Sequence, residues 1–341
     1  EGRGWPAGTY VVDMQQPHAA FAQAVLARQP YPLQPEYEGG PPAPPYDVTA
    51  HNLPLLLGVE AVALHEAPPP GGVPLARAPP GPPRRVPGLS GDPSVMVGLY
   101  LPWIPSIDEG WTRWLFDNYS VPYRSVTNDE IGRGGLLREH TALVIPSISR
   151  AELSDGRSAA SVPPEFAGGL GPPHVASLRD FVDGGGTLVA WGASTGWVID
   201  ALELPVENFV DELPPAQFLA PGAQVRLAVD TTTAVGAGMP ARTAAFLLDG
   251  GAFRPRTPPA AGEGAAESAR AGRTTVVARY GRDPLTLSGR MIGESWIAGR
   301  PAVVEVRRGG GRVVLMGFRP QYRGQSMATY PLVFNALKRR R

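Results

Sequence analysis

The sequence of 341 residues contains no cysteine. Disulfides, thiolate metal sites and a cysteine nucleophile are thereby excluded. Histidine is scarce: His18, His51, His65, His140 and His174 are the full set. None begins a His-x-x-Glu, and no His-Glu-x-x-His occurs, so the metal-ligand spacings of zinc hydrolases are missing. Neither sign of charge dominates, with 31 basic and 31 acidic residues. That balance lacks the basic footprint of a nucleic-acid binder and the block of acids of a disordered tail. The one basic run, Lys338-Arg339-Arg340-Arg341, reads as a solvated terminus rather than an anion-binding patch. No apolar run approaches the ~20 residues that span a bilayer. There is no initiator Met, and Glu1-Gly2-Arg3-Gly4 reads as a point inside a longer protein, so any targeting segment is expected to lie outside this sequence.

What the chain has in excess is glycine (42) and proline (40). Together they approach the level of a low-complexity chain, but the prolines are clustered, which implies ordered segments joined by proline-rich connectors. Residues 66–93 hold ten prolines and almost no large apolar residue. They read as a semi-rigid linker of polyproline character, and the main domain boundary is placed there. Before it, residues 1–65 offer a strand-like Thr9–Val12, a helix over His18–Arg28, a Pro/Gly loop over 35–46 and two apolar runs, Leu53–Val59 and Ala61–Leu64. This segment is too short to bury a core of its own and is expected to pack on something else.

From 94 to 341 the pattern becomes that of an α/β domain. Val95–Tyr100, Tyr123–Val126, Thr141–Pro146 and Leu188–Trp191 read as strands. They alternate with helices over Asp108–Tyr119, a short one near Asp129–Leu137, and Pro173–Val182, which ends at Gly184. Such alternation implies a parallel sheet with right-handed crossovers. Residues 205–300 read as an irregular insertion with strands at Gln224–Val229 and Thr275–Tyr280 and a loop over 255–273. A β-rich C-terminal part follows, with a hairpin over Pro301–Phe318 and a closing helix over Ser326–Lys338.

One turn carries a possible chemistry. Gly192-Ala193-Ser194-Thr195-Gly196 follows the fourth strand and fits Gly-x-Ser-x-Gly, the strained turn that exposes a nucleophilic serine. Ser194 would need a base, and no histidine follows His174. A structural Ser194 is the favoured reading, with a nucleophile or an anion site at the helix start as alternatives. Asp108 and Glu109 read as first-turn helix acids before they read as a catalytic pair. Trp111 and Trp114 share a helical face, which implies core packing first and a ligand-stacking surface second. Gly184-Gly185-Gly186 lacks the spacing of a phosphate loop.

Several blocks together resemble a known family. They are Asp108-Glu109-Gly110-Trp111-Thr112-Arg113-Trp114 with Asn118-Tyr119 and Pro122-Tyr123, Pro163 to Gly169, and Gly317-Phe318-Arg319-Pro320-Gln321-Tyr322-Arg323. Upstream lie Pro6 to Val12, Gln16-Pro17, Gly40-Pro41-Pro42 and Pro45 to Thr49. In this order they resemble the C-terminal half of bacterial carboxypeptidase A-like zinc metallopeptidases. The resemblance implies a flavodoxin-like domain of the class I glutamine amidotransferase type, with Ser194 standing where an amidotransferase carries its cysteine. It implies that the zinc domain precedes this region, since the zinc ligands are absent here. No cofactor is expected in this chain itself. Residues 1–65 would then pack on the preceding peptidase domain, and the protein would be exported to the periplasm or the cell exterior. The expected partners are that domain and a second copy of the chain, with no nucleic acid and no membrane span. Arg319, Gln321, Tyr322 and Arg323 follow a buried strand. Their two guanidiniums would either grip a carboxylate or pin the loop to the neighbouring domain.

Overall fold

The computed structural model describes residues 6, 8–32, 34–41, 43, 45, 47–65, 84–256, 271–282 and 284–339. Five strands run parallel at its centre: β1 (Val97–Tyr100), β2 (Tyr123–Val126), β3 (Ala142–Ile145), β4 (Thr187–Trp191) and β12 (Gly311–Met316). Their spatial order is β2-β1-β3-β4-β12. This is the doubly wound, flavodoxin-like order, in which the chain reverses direction across the sheet between β1 and β3. Apolar runs such as Ala142-Leu143-Val144-Ile145 form strands covered on both sides, and all four of these residues are buried.

Three of the helices between them start at a small polar residue that caps them. Ser106 accepts from the Glu109 amide (3.2 Å) at the start of α3 (Ile107–Asn118). Thr127 with Glu130 and Ser149 with Glu152 form capping boxes on α4 (Asn128–Arg133) and α5 (Arg150–Ser154). Pro172 opens α6 (Pro172–Asp183), and α7 (Ser194–Ala201) follows β4 directly.

The pleat divides the core into two layers. Val189 and Trp191 of β4 face one side with Leu115 and Phe116 of α3 and Leu332 and Val333 of the last helix, α9 (Tyr330–Leu337). Leu188 and Ala190 face the other side with Phe181 of α6 and Val198 of α7.

Three stretches differ from the sequence reading. Residues 205–300 are largely regular. β6 (Pro221–Val229), β7 (Arg242–Leu248), β9 (Ala271–Tyr280), β10 (Thr286–Ser288) and β11 (Pro301–Arg308) continue the main sheet antiparallel. β5 (Val206–Asn208) and β8 (Phe253–Pro255) pair as a separate ribbon, and a short α8 (Glu294–Ile297) precedes β11. Of these, the sequence reading finds most of β6 and β9 and the hairpin strand β11, and misses β5, β7, β8 and β10. Residues 84–93 belong to the α/β domain. Leu89 is fully buried, and the Ser90 hydroxyl donates to the Tyr119 carbonyl (2.5 Å). Thr9–Val12 is exposed coil. Residues 66–83 of the proline stretch and 257–270 of the expected loop lie outside the described residues.

The upstream segment contributes α1 (Ala19–Leu26) and α2 (Leu53–Leu57). Residues 47–57 are seated on the antiparallel half. The Asn52 amide donates to Gln224 Oε1 (3.2 Å), and Gln224 Nε2 donates back to the Asn52 carbonyl (2.8 Å). Leu56 packs with Phe246 and Tyr322. α1, by contrast, buries none of its residues, and Phe21 is 70% exposed.

Candidate functional site

A doubly wound sheet holds ligands in the crevice outside the carboxyl ends of its strands, at the reversal point. Here that point is bounded by the loops after β1 and β3. Asp108, in the first turn of α3, reaches into it. Its Oδ2 accepts from the Ser147 amide (2.8 Å) and from the indole Nε1 of Trp191 (2.7 Å). Gln321, fully buried on the loop after β12, donates to the Asp108 carbonyl (3.2 Å) and to Thr112 Oγ1 (3.1 Å). The crevice is therefore filled by the chain's own side chains. Burial pushes the Asp108 carboxyl above its usual range, against the pull of the Arg319 guanidinium, the indole and the Ser147 amide. Glu109 turns away and pairs with Arg113 (2.6 Å), so the two neighbouring acids do not form a catalytic couple.

Ser194 is fully buried. Its hydroxyl accepts from the Ile148 amide (2.9 Å) and donates to the Pro146 carbonyl. These contacts tie the start of α7 to the loop after β3. The left-handed residue of the turn is Gly192 (φ 59°), where a Cβ would stand 2.5 Å from Ser147 Oγ. Ser194 itself opens a helix, so the turn lacks the strained serine of a nucleophile elbow. His174, on the first turn of α6, packs against Gly132 of α4.

The remaining candidates are separated by the fold. Trp111 and Trp114 pack edge to face, with centroids 5.9 Å apart, and the Trp114 ring lies against Gly324. Arg319 pairs with Asp249 (3.0 Å) and Arg323 with Asp47 (3.3 Å), so both guanidiniums engage acids of this chain. Tyr322 stacks on Phe246 at 4.0 Å. Arg323 thus meets the upstream segment through an exposed ion pair.

A charged cleft of about 320 Å³ flanks α7, beside the carboxyl ends of β3 and β4. Arg150 bridges Asp200 (2.8 Å) and Asp211 (3.6 Å), and Arg256 approaches Glu207 (3.5 Å). Burial raises the Asp211 carboxyl, with Arg150 opposing it. The acids and arginines of this cleft come from residues 150–256 with no shared spacing, so no sequence signal could have assembled it. Among the described residues no group of three or more His, Asp or Glu side chains converges as a metal site. Among them, too, no helix is long and apolar enough to cross a membrane.

Strand order and crevice define the class: a doubly wound α/β domain of flavodoxin-like order, extended by an antiparallel half. No protein-family model matches the sequence, and no curated protein matches it. Solved structures match at low similarity. A β-galactosidase from Bacillus circulans sp. alkalophilus is 14% identical, with a TM-score of 0.41, over 70% of this chain and 31% of that one. A cytoplasmic protein from Salmonella typhimurium is 12% identical (TM-score 0.41) over 71% of this chain and 97% of that one. A GMP synthase-type protein from Thermoplasma acidophilum is 8% identical (TM-score 0.40), over 71% and 92%. The chain thus spans about a third of the β-galactosidase. These are likenesses of fold alone.

Proposed function

We propose that this chain is a non-catalytic accessory module of a zinc metallocarboxypeptidase-like hydrolase, in which peptide hydrolysis belongs to a preceding domain. The observation that carries the reading is the filled crevice. Asp108, Trp191, Ser147 and Gln321 occupy the place where this fold would take a substrate, and Ser194 spends its hydroxyl on main-chain groups. The upstream segment supports a scaffolding role. Tyr10, Phe21, Val59 and Val62 are all between 45% and 75% exposed, an apolar series suited to covering by a neighbouring domain. In this reading the module is exported with its parent, and the buried Gln224–Asn52 pair seats the segment that meets the peptidase domain.

The test is direct. The purified chain is incubated with an active-site fluorophosphonate and, separately, with zinc and a blocked peptide. Neither Ser194 labelling nor release of a C-terminal residue is expected. Labelling that disappears in Ser194→Ala would establish a serine hydrolase instead. A second reading, a small-ligand-binding module, is favoured by the charged cleft beside α7. A polar ligand that raises the melting temperature, and fails to do so in Arg150→Ala, would support it.

A further inference from the structure

The end of the sheet opposite the crevice carries a second cavity, of about 400 Å³. It lies at the amino ends of β3, β4 and β12, where Thr141, Thr187 and Gly311 begin or precede those strands. Two glycine turns, Gly184–Gly186 and Gly309–Gly311, meet there. Their approach is closer than any side chain would permit: a Cβ on Gly311 would lie 2.2 Å from the Gly186 carbonyl oxygen. The cavity therefore has a floor of bare backbone.

Its charged lining has one sign. Arg307, Arg312 and Arg339 line it, with the buried imidazole of His140, and no carboxylate among the described residues does. Acids flanking the lining residues are engaged, Asp183 by Arg308 (3.1 Å), Glu305 by Arg312 (3.1 Å) and Glu139 by Arg124 (2.8 Å). Arg307 and Arg339 are exposed, and neither has a hydrogen bond or ion pair among the described residues. His140 Nδ1 is buried without a partner among them. The glycine amides are spent on Asp180, Val182, Phe181 and Asp183 carbonyls. The free donors are thus guanidiniums, which suit planar, multidentate recognition of phosphate oxygens.

We infer that this cavity is an anion site for a small molecule bearing two or more phosphate groups, gripped by Arg307 and Arg339 over the paired glycine turns. One oxyanion would leave much of the cavity empty. Leu137 is its only large apolar lining residue among those described, so recognition falls on charge rather than on an organic body. The site is independent of the accessory role proposed above, and it revises the reading of Lys338–Arg341 as a merely solvated terminus.

The probe is sodium tripolyphosphate, titrated calorimetrically into the full chain at low salt, with inorganic phosphate as a second arm. One tripolyphosphate per chain is expected, with phosphate binding at least about tenfold more weakly. Arg307→Ala and Arg339→Ala should each weaken tripolyphosphate by about tenfold, and added NaCl should weaken it further. Arg242→Ala, an exposed arginine at the start of β7, should not change it. Amide NMR shifts confined to the cavity's lining segments, residues 137–141, 184–187, 307–312 and 339, give an independent readout on the unaltered chain. Absence of binding, or an equal loss in Arg242→Ala, would overturn the inference, as would shifts elsewhere in the molecule.

Discussion

The carboxylate of Asp108 accepts the indole proton of Trp191 across 2.7 Å, joining the first turn of α3 to the last residue of β4. The same oxygen holds the Ser147 amide, so one buried acid ties together the ends of three elements. A ligand would have to displace this cluster to enter the crevice.

Asp108→Ala leaves two buried donors without an acceptor. It should lower stability by about 2–4 kcal/mol, measured by urea unfolding. The pH dependence has a definite sign. Burial raises the folded-state pKa of Asp108 above the ordinary 3.8. The folded protein then holds a proton that the unfolded chain has released. This contribution is complete below the unfolded value and fades as pH rises through the folded one. Compared with Asp108→Asn, the wild type should lose its advantage as pH rises above the ordinary carboxyl value of 3.8. A constant difference between the two would refute the assignment.

Ser194→Ala removes the only acceptor of the Ile148 amide at that turn. A loss of about 1–3 kcal/mol is expected, seen as a lower melting temperature, with no change in any hydrolytic rate. Gly192→Ala should cost more than Ser194→Ala. It forces an L-residue to φ 59° and drives a Cβ against Ser147, so reduced soluble yield or a markedly lower melting temperature is the readout.

Arg312 and Glu305 form a buried pair, with side chains 6% and 3% exposed. Arg312 also donates to the Ala336 and Lys338 carbonyls (both 2.9 Å), closing the end of α9. Arg312→Met should cost about 3–5 kcal/mol, because it removes a buried guanidinium from beside the Glu305 carboxylate. Adding Glu305→Leu should restore a large part of that loss in a double-mutant cycle. If the double variant is no better than Arg312→Met, the cost lies in the helix end instead.

The reciprocal amide pair of Gln224 and Asn52 is buried, whereas Arg323–Asp47 is exposed. Gln224→Leu should therefore free residues 47–57 and speed limited proteolysis near residues 58–65. Arg323→Ala should leave that rate nearly unchanged, since a solvated ion pair contributes little. The opposite ranking would show that the arginine loop is the main clasp.

Much of the parallel half was legible because its signals are local. Thr141 to Pro146 is a continuous apolar run, and Ser106, Thr127 and Ser149 stand where helices must be capped. Gln224–Val229 and Thr275–Tyr280 were legible as the bodies of β6 and β9, whereas β7 and β10 were not read from the sequence. Trp111 and Trp114 do meet on one helical face, but Trp111 is half-buried and Trp114 exposed, so the expected core packing does not hold: the buried face of α3 is that of Thr112, Leu115 and Phe116. The bond from Asp108 to Trp191 could not be read, since 83 positions separate the two.

The sequence by itself determined the chemistry on offer. Without cysteine or zinc-ligand spacing, and with no histidine after His174, it barred thiol chemistry and left Ser194 without a later base. Which groups are exposed to a ligand was decided only by the tertiary structure. Strand order carried Asp108 and Gln321 into the crevice and closed it. The same order brought two glycine turns, more than a hundred residues apart, to one end of the sheet beside Arg307 and Arg339, which have no partner among the described residues. Spacing along the chain sets which residues share an element, but the burial that consumes a polar group or leaves it free arises from packing between elements.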